Sequence, residues 1–290
     1  MNDIIVTGGD GQLGRELSRQ WDSAVPLSKA ELNITDRDAV WKALKEMRPR
    51  ALVNTAAFVN VDLAESEPAA CQAVNVQGAR HLAEICRESG CLLVQISSDY
   101  VFSGAQPQGR PWREDDPPIA RGVYAQSKFA AEQIVAEASR HLIVRTCGLY
   151  SSADRSETTS FVNTMLRLAR AGRMKLRVVD DQRCTPSYAP HVARAVVFLV
   201  ETALAGNAPF GVYHVTNRSE SSWHGFAAEI FRLGGLDVDL EAISTEQFGA
   251  PAPRPKYSVL DVAKYHQLGG PVLPTWQDAL AERMKGAINS

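Results

Sequence analysis

The first part of the chain combines a short β-branched run, a glycine-rich turn and a helical segment. Asp3–Thr7 has the composition of a strand, Gly8, Gly11 and Gly14 follow it, and Arg15–Trp21 continues as a helix. Glycines in this context permit a tight turn and let backbone N–H groups approach a pyrophosphate at the helix N-terminus. The pattern predicts a dinucleotide-binding loop, with an ordinary glycine-rich turn as the alternative.

Strand-like and helical patterns then alternate as far as residue 150. The apolar runs Ala51–Ala57 and Leu92–Ser98 are typical of buried parallel strands, while Asp36–Met47 and Ala70–Ser89 have helical spacing. This alternation predicts an α/β fold with a doubly wound parallel sheet of the Rossmann type. Ligands bind such sheets beyond the carboxyl ends of the strands.

The last third of the chain alternates less regularly, which indicates a smaller C-terminal cap on the substrate side. We assign residues 1–150, with 188–216 packing back onto them, to a dinucleotide-binding domain, and 151–187 with 217–290 to a substrate-binding portion. The proline-dotted residues 237–262 are expected to be irregular, and the polar residues 151–160 to form a lid.

Two groups of residues predict proton transfer to a carbonyl oxygen. Tyr124 and Lys128 lie four residues apart in a helical pattern and so share one face, and Ser98 ends the apolar run before them. We expect Lys128 to lower the pKa of the phenol from its usual value of about 10. Surface helices often produce the same spacing, so the pair alone does not decide between catalysis and a solvated face.

Composition limits the classes of partner and compartment. Hydrophobic and charged contents of 45% and 22% are ordinary for a globular protein, and a net charge of −2 leaves no basic surface for nucleic acid. We find no apolar run of membrane-spanning length and no signal-peptide pattern. The five cysteines lack C-x-x-C spacing and are interpreted as buried, reduced thiols of a cytoplasmic protein.

The second predicted strand, Ala24–Leu27, bears on the choice of cofactor. Proteins that bind a ribose with a free 2′-hydroxyl usually carry Asp or Glu after this strand, whereas this chain has Ser28 and Lys29. Because Lys29 could pair with a 2′-phosphate, the sequence favours NADPH over NADH. Glu31 is a carboxylate close to the end of this strand, so use of both NADPH and NADH stays open.

Nine motifs give the chain a resemblance to a known family along essentially its whole length. It resembles the extended short-chain dehydrogenase/reductases and, within them, the dTDP-4-dehydrorhamnose reductases. The motifs are VTGGDGQLGREL (6–17), NTAAFVNVDLAESE (54–67), VNVQGARHLAE (74–84), SSDYVFSG (97–104), YAQSKFAAE (124–132), NTMLRLA (163–169), VVDDQRCTP (178–186), RPKYSVLD (254–261) and PTWQDAL (274–280).

The resemblance implies reduction of a 4-keto 6-deoxysugar nucleotide, dTDP-4-dehydro-L-rhamnose, by NADPH in dTDP-rhamnose biosynthesis. It implies that Tyr124 donates the proton, that Lys128 binds the nicotinamide ribose, and that Ser98 contacts the substrate oxygen. It also implies cofactor contacts at Gly11, Gln12, Leu13, Ala56, Ala57 and Phe58, and substrate contacts at Val61, Asp99 and Gly148.

The chain departs from the family at one sugar contact. Many of these reductases read Thr-Ser-Trp where this chain has Thr146-Cys147-Gly148, so the sugar-packing ring is absent and Phe161 or Trp112 are candidates to replace it. Some members use Mg²⁺; the sequence shows no metal-ligand spacing, so we predict no metal site while the resemblance leaves that ion open.

Three questions of function stay open at this level. Sugar dehydratases of this kind carry Asp-Glu after the hydroxyl residue, whereas Asp99-Tyr100 here favours a reductase over a dehydratase or epimerase. A non-catalytic subunit similar to the methionine adenosyltransferase beta subunit is the rival outside enzymes, although Ser98, Tyr124 and Lys128 favour catalysis. Helix faces at Ala73–Ile85 and Tyr124–Ala138 could form a homodimer seam or core.

Overall fold

The computed structural model describes residues 3–104, 109–151, 160–173 and 175–288, so most of the lid predicted at 151–160 lies outside the described residues. Its strands are β1 (Ile4–Thr7), β2 (Ala24–Leu27), β3 (Ala51–Asn54), β4 (Leu92–Ser98), β5 (His141–Thr146), β6 (Leu149–Tyr150), β7 (Lys175–Val179), β8 (Arg183–Cys184), β9 (Ser187–Tyr188), β10 (Gly211–His214), β11 (Ser221–Ser222) and β12 (Asp239–Ile243). Its α-helices are α1 (Gln12–Gln20), α2 (Arg37–Met47), α3 (Val61–Ser66), α4 (Pro68–Gln72), α5 (Ala79–Ser89), α6 (Val123–Ala136), α7 (Phe161–Arg170), α8 (Ala189–Leu204), α9 (Trp223–Gly234), α10 (Thr245–Phe248), α11 (Ala263–Gln267) and α12 (Trp276–Ile288).

A parallel sheet of six strands forms the centre of the molecule, in the order β10-β5-β4-β3-β1-β2. The chain first adds β2 on one side of β1 and then returns to add β3 on the other. The loops that follow β1 and β3 therefore diverge and leave a crevice at the carboxyl ends of these strands, which is where ligands bind in open α/β sheets. The predicted doubly wound parallel sheet is confirmed.

Helices cover both faces of this sheet because side chains along each strand alternate in direction. Ile4 and Val6 of β1 pack in a core with residues of α1 and α8, whereas Ile5 packs in a second core with residues of α2, α5 and α6. A third core lies away from the sheet, where residues of α7, α9 and α12 surround the buried ring of Tyr150. Two of these helices, α9 and α12, belong to the C-terminal third of the chain.

The long helix predicted at Ala70–Ser89 is interrupted. It begins as α4, passes through a wide π-helical turn at Ala73–Gly78, and continues as α5 up to Gly90, which adopts a left-handed conformation. Turns of this kind are often found at functional sites. Here the turn contains Asn75, whose side chain is used in the site described below.

The prediction that residues 237–262 are irregular is wrong in part. Asp239–Ile243 forms a parallel pair with Lys175–Val179, and α10 follows with a capping box between Ser244 and Gln247. Glu241 of this strand lies 3.6 Å from the ammonium of Lys175 across the pair. The strand is short and largely exposed, and its five residues alone are too few to predict it; pairing with β7 supplies the hydrogen bonds that define it.

Two further features concern the sequence predictions. All five cysteines are free and buried. Among the helices in the described ranges, none is both long and apolar enough to cross a membrane.

Candidate active site

The glycine loop lies between β1 and α1 and meets the segment after β3. Gly8 has φ of +68°, and a Cβ there would lie 2.7 Å from the backbone nitrogen of Ala56. A Cβ on Gly14 would overlap the carbonyl oxygen of Gly8. Both positions therefore require glycine, one because of its left-handed backbone and both because of close backbone approach.

The start of α1 is open to an anion. Gly11 is its N-cap residue and supplies no side-chain hydrogen bond, so the first N–H groups of the helix point out of the loop. Leu13 is buried and anchors the turn. Within the described ranges, Gln12 Oε1 and Arg15 Nη2 are buried without a hydrogen-bond partner. The uncapped backbone donors and the unpaired guanidinium nitrogen of Arg15 fit the diphosphate of a dinucleotide, whereas the Gln12 oxygen is an acceptor and does not.

The segment after β3 is held by a residue that the sequence analysis missed. Asn75 accepts a hydrogen bond from the Phe58 backbone nitrogen at 2.8 Å and donates to the Phe58 carbonyl oxygen and to Ser127 Oγ, at 3.2 and 2.9 Å. One amide therefore ties the predicted cofactor segment at Ala56, Ala57 and Phe58 to helix α6. An Asn within the helical run 70–89 was the signal, but its partners are remote in sequence.

Polar side chains are buried at the carboxyl end of β4. Ser98 donates a hydrogen bond to Asp99 Oδ1 at 3.0 Å and accepts one from the Tyr100 backbone nitrogen at 3.2 Å. The other oxygen of Asp99 accepts a bond from the Cys147 thiol at 3.0 Å. Burial raises the pKa of Asp99, and the hydrogen bonds that its carboxyl group accepts from Cys147, Ser258 and Ser98 reduce this increase. Ser98 is thus oriented by the carboxyl group beside it.

Tyr124 lies in the first turn of α6 and packs with Phe58, Val61 and Tyr100. The rings of Tyr100 and Tyr124 meet edge to face, with centroids 5.4 Å apart. Burial raises the pKa of the Tyr124 phenol well above its usual value, and an interaction with the Ser98 hydroxyl opposes this only in part. The structure therefore brings Val61, Ser98 and Tyr124 into one cluster, as the prediction of a shared site requires.

The expectation that Lys128 lowers the pKa of Tyr124 is wrong for this structure: burial raises that pKa, and the opposing effect comes from the Ser98 hydroxyl. The Lys128 ammonium donates a hydrogen bond of 2.7 Å to the carbonyl oxygen of Ile96 in β4. Burial lowers the pKa of Lys128 to about 8, while the carboxylate of Glu132 one helical turn later opposes the shift. Lys128 is thus fixed on the sheet close to Ser98, with a pKa near neutrality.

Beneath the site lies an ion pair that the sequence analysis also missed. Arg145 of β5 donates two hydrogen bonds to Glu132 of α6, at 2.9 and 2.7 Å, and both side chains are almost fully buried. Ser97 Oγ donates a third bond to Glu132, at 2.5 Å. The pair joins the helix of Tyr124 to β5, and the Ser97 bond joins the same helix to β4, the strand of Ser98.

The ring beside Gly148 is Trp223, and not Trp112 or Phe161. Gly148 has φ of +53°, and a Cβ there would lie 3.4 Å from Trp223 Cη2. Trp112 is buried elsewhere, stacked on Phe102 with ring centroids 4.4 Å apart, so its candidacy is wrong. Phe161 packs behind Trp223, at a centroid distance of 4.9 Å.

Ser28, Lys29 and Glu31 form a surface turn after β2. Lys29 is exposed, as expected for a residue that could pair with a phosphate. The Glu31 carboxylate is folded onto Ser28 and accepts hydrogen bonds from its backbone nitrogen and its hydroxyl. The turn therefore contains both a cation and a carboxylate.

Within the described ranges, no group of three or more His, Cys, Asp or Glu residues is placed to hold a metal ion. The resemblance had left Mg²⁺ open, and neither these residues nor the related proteins reported next give that ion support.

Comparison with known proteins agrees with this geometry. The RmlD substrate binding domain family matches residues 1–288. A dTDP-4-dehydrorhamnose reductase of Streptomyces griseus is 42% identical over 96% of this chain and 91% of its own length.

Two solved structures have the same fold over nearly the full chain. A dTDP-4-dehydrorhamnose reductase of Clostridium acetobutylicum has a TM-score of 0.89 at 34% identity, covering 97% of this chain and 98% of its own. That of Bacillus anthracis, solved in complex with NADP, has a TM-score of 0.88 at 34% identity, covering 99% of each chain. The chain belongs to the RmlD substrate binding domain family.

Proposed function

We propose that this protein uses NADPH to reduce the 4-keto group of dTDP-4-dehydro-L-rhamnose, giving dTDP-L-rhamnose. The observation that carries the proposal is the cluster of Ser98, Tyr124 and Lys128 at the carboxyl end of β4, beside an uncapped glycine loop. Relatives named dTDP-4-dehydrorhamnose reductase support the choice of substrate, and the NADP complex of one of them supports the cofactor.

The cofactor would be held at both ends of the crevice. Gly8, Gly11 and Gly14 would bind its diphosphate through backbone N–H groups, and Lys128 would donate to the nicotinamide ribose. When bound, NADPH supplies the hydride that reaches the carbonyl carbon. The Asn75 contacts keep Phe58 and the segment before it in place along this crevice.

Tyr124 would donate a proton to the oxygen as it becomes an alkoxide, and Ser98 would hydrogen-bond the same oxygen by turning its single hydroxyl hydrogen from Asp99 Oδ1 to the substrate. The raised pKa of Tyr124 keeps the phenol protonated at neutral pH and makes it a weaker acid, so the proton moves only as the substrate oxygen becomes the stronger base, an alkoxide. Asp99 orients the Ser98 hydroxyl and, at the same strand end, would contact the sugar. Together these groups convert a ketone into an alcohol without a second acid or base.

Tyr100 favours a reductase over a dehydratase or epimerase. A dehydratase must also move protons at neighbouring carbon atoms, and a carboxylate after Asp99 would serve that purpose. Here the next side chain is a phenol packed edge-on against Tyr124, and burial raises its pKa. It is therefore a poor base at neutral pH.

The proposed activity is tested with purified protein, NADPH and dTDP-4-dehydro-L-rhamnose, by following the absorbance of NADPH. Stoichiometric oxidation of NADPH with formation of dTDP-L-rhamnose is expected. Turnover of the sugar without net loss of NADPH would instead indicate an epimerase or dehydratase. No turnover, with co-purification of a transferase, would support the regulatory subunit.

The titration of Lys128 gives a prediction for both activity and stability. Since burial lowers its pKa to about 8, the ammonium is lost above that pH, and kcat/KM should fall. The unfolded chain keeps this proton up to the ordinary pKa of 10.5. Between pH values of about 8 and 10.5 the unfolded chain therefore binds more protons than the folded one, and the free energy of unfolding should rise with pH. Activity profiles and denaturant titrations across this interval measure the two trends, and in Lys128→Met the rise in stability due to this group should disappear. A kcat/KM that stays constant through the interval would contradict the assignment.

We propose that the C-terminal portion, residues 151–187 and 217–290, covers the sugar, with Trp223 as its apolar wall beside Gly148. Replacing Trp223 with alanine should raise KM for the sugar nucleotide about three- to tenfold, because stacking contributes to ground-state binding. Trp223→Phe keeps an aromatic face and should remain close to the wild type. Steady-state kinetics at saturating NADPH measure KM; an increase confined to KM for NADPH would contradict this position for the sugar.

We also propose that the protein acts in the cytoplasm, since its five free thiols suit a reducing compartment. Its assembly as a homodimer through the helix faces at Ala73–Ile85 and Tyr124–Ala138 is a further proposal. These faces carry charged residues such as Arg80, Glu84 and Glu137. Light scattering of the purified protein would give the oligomeric state.

A further inference from the structure

Helix α3 carries two carboxylates, and each of them holds a different part of the protein. Asp62 and Glu65 lie three residues apart and are therefore neighbours on one face of the helix. Asp62 accepts two hydrogen bonds from the guanidinium of Arg254, at 3.0 and 2.8 Å, and a third from the backbone nitrogen of Ala252 at 3.2 Å. Arg254 follows α10, so this ion pair joins α3 to the C-terminal portion of the chain.

The second carboxylate holds the start of the helix that carries Tyr124. Glu65 Oε1 accepts a hydrogen bond from the backbone nitrogen of Val123 at 2.8 Å. Val123 is the first residue of α6, and the N-cap residue Gly122 supplies no side-chain hydrogen bond. Glu65 therefore caps α6 from a neighbouring helix. Because Tyr124 is the next residue, this contact fixes the turn on which the phenol lies.

The three parts meet at Gly122. Its φ is +84°, and a Cβ there would lie 2.8 Å from Glu65 Oε1 and 3.0 Å from Pro253 Cδ. The charge of Arg254 also acts on the site: burial raises the pKa of the Tyr100 phenol, and Arg254 opposes that rise. The ring of Tyr100 packs on that of the proposed proton donor. The C-terminal portion, α3 and the start of α6 therefore meet beside the reacting groups.

We propose that α3 is a positioning element, which aligns Tyr124 with the bound sugar by linking the C-terminal portion to α6 through Asp62 and Glu65. The inference rests on the proposed function, because the sugar and the phenol have their roles there. The sugar would be covered by one part of the chain and protonated by another, so their relative position needs a direct link. A displacement of about 1 Å between reacting groups can lower a rate about 10²-fold.

The chemistry of the link suits position more than stability. Two parallel hydrogen bonds from Arg254 fix the orientation of the partners as well as their distance. These bonds lower the pKa of Asp62, so the pair is ionised at neutral pH. The Asp62 side chain is 40% exposed, and exposed ion pairs contribute little to the free energy of unfolding. Loss of the link should therefore affect alignment much more than folding.

The first test removes the ion pair. Arg254→Met should lower kcat about ten- to hundredfold, while the dissociation constant of NADPH, measured by fluorescence without sugar, stays close to that of the wild type. Asp62→Asn should have a similar effect, and the double variant should lose no more than either single variant, because both act through one contact. Arg113→Met is the matched control, since it removes the pair with Asp261, which also reaches the C-terminal portion but does not involve α3. Its kcat should stay close to the wild type.

The second test concerns the contact with α6. Glu65→Gln retains an oxygen acceptor at the same length and should keep most of kcat, whereas Glu65→Ala removes the acceptor and should lower kcat about tenfold. Hydrogen exchange over residues 122–128 measures the same contact without turnover. Exchange there should be faster in Glu65→Ala and Arg254→Met, and unchanged in Glu65→Gln and Arg113→Met.

Equal losses of kcat in Glu65→Gln and Glu65→Ala would overturn the inference, as would equal losses in Arg254→Met and Arg113→Met. An effect of Arg254→Met confined to KM for the sugar would assign Arg254 to substrate binding and contradict a positioning role. Thermal unfolding checks each variant, and Arg254→Lys, with an intermediate kcat expected, replaces Arg254→Met if the latter does not fold. A wild-type protein that reduces no sugar would contradict the proposed function, whereas unchanged hydrogen exchange in Glu65→Ala would contradict the role of α3 alone.

Discussion

Replacing Tyr124 with phenylalanine should lower kcat by about 10²–10⁴-fold, the range that general acid catalysis contributes in enzymes. The substitution removes the hydroxyl that would protonate the alkoxide and keeps the ring that packs with Phe58, Val61 and Tyr100. Binding of NADPH should therefore persist, since the glycine loop and Lys128 are unchanged. Turnover is measured by NADPH oxidation, and NADPH binding by fluorescence.

A neighbouring phenol supplies the control for this experiment. Tyr100 is also buried and meets Tyr124 edge to face, but it has no part in the proposed proton transfer. Tyr100→Phe should retain most of the turnover. If Tyr124→Phe turned over at the wild-type rate, the proton donor would have to be sought elsewhere at the carboxyl end of β4.

Replacing Arg145 with methionine should lower the free energy of unfolding by about 3–5 kcal/mol, because Glu132 would remain buried as a charge without its partner. Arg145 and Glu132 have side-chain exposures of only 3% and 4%, and two hydrogen bonds join them. Ser97 would then be the remaining hydrogen-bond donor to Glu132 among the contacts described above. Chemical denaturation of the variant measures the loss.

An exposed ion pair of similar geometry is the control for the effect of burial. Arg232 lies 2.6 Å from Glu229 on α9, but its side chain is 67% exposed. Arg232→Met should therefore change the free energy of unfolding by less than about 1 kcal/mol. The double variant Arg145→Met with Glu132→Leu should lose less than Arg145→Met alone, because no buried charge is left unpaired. Equal losses in the two single arginine variants would contradict the importance of burial.

The predictions made from sequence were most accurate where chemistry is local. The order of strand, glycine turn and helix is found as predicted, because both the backbone freedom of Gly8 and the close approach at Gly14 depend on the absence of a side chain. The four-residue spacing of Tyr124 and Lys128 places both on one helix for the same local reason. β2 was predicted with its observed bounds, Ala24–Leu27.

The predictions were wrong or incomplete where partners are distant in the chain. Asn75 is one polar residue in a helical run, and only the fold brings it to Phe58 and Ser127. Trp223 begins α9, whereas Gly148 precedes β6, so several helices and strands separate them in the chain. No periodicity in the sequence could relate the two residues. The short, largely exposed strand β12 depends on pairing with β7 for its hydrogen bonds.

The sequence by itself determined the fold class, the glycine loop, and the identity of the hydroxyl, phenol and ammonium groups of the candidate site. Only the tertiary structure decided their ionisation and their surroundings. Burial raises the pKa of Tyr124 and lowers that of Lys128, opposite to the sequence-based expectation for the phenol. The reason is physical: desolvation depends on everything packed around a group, and residue spacing along one helix contains no information about that packing.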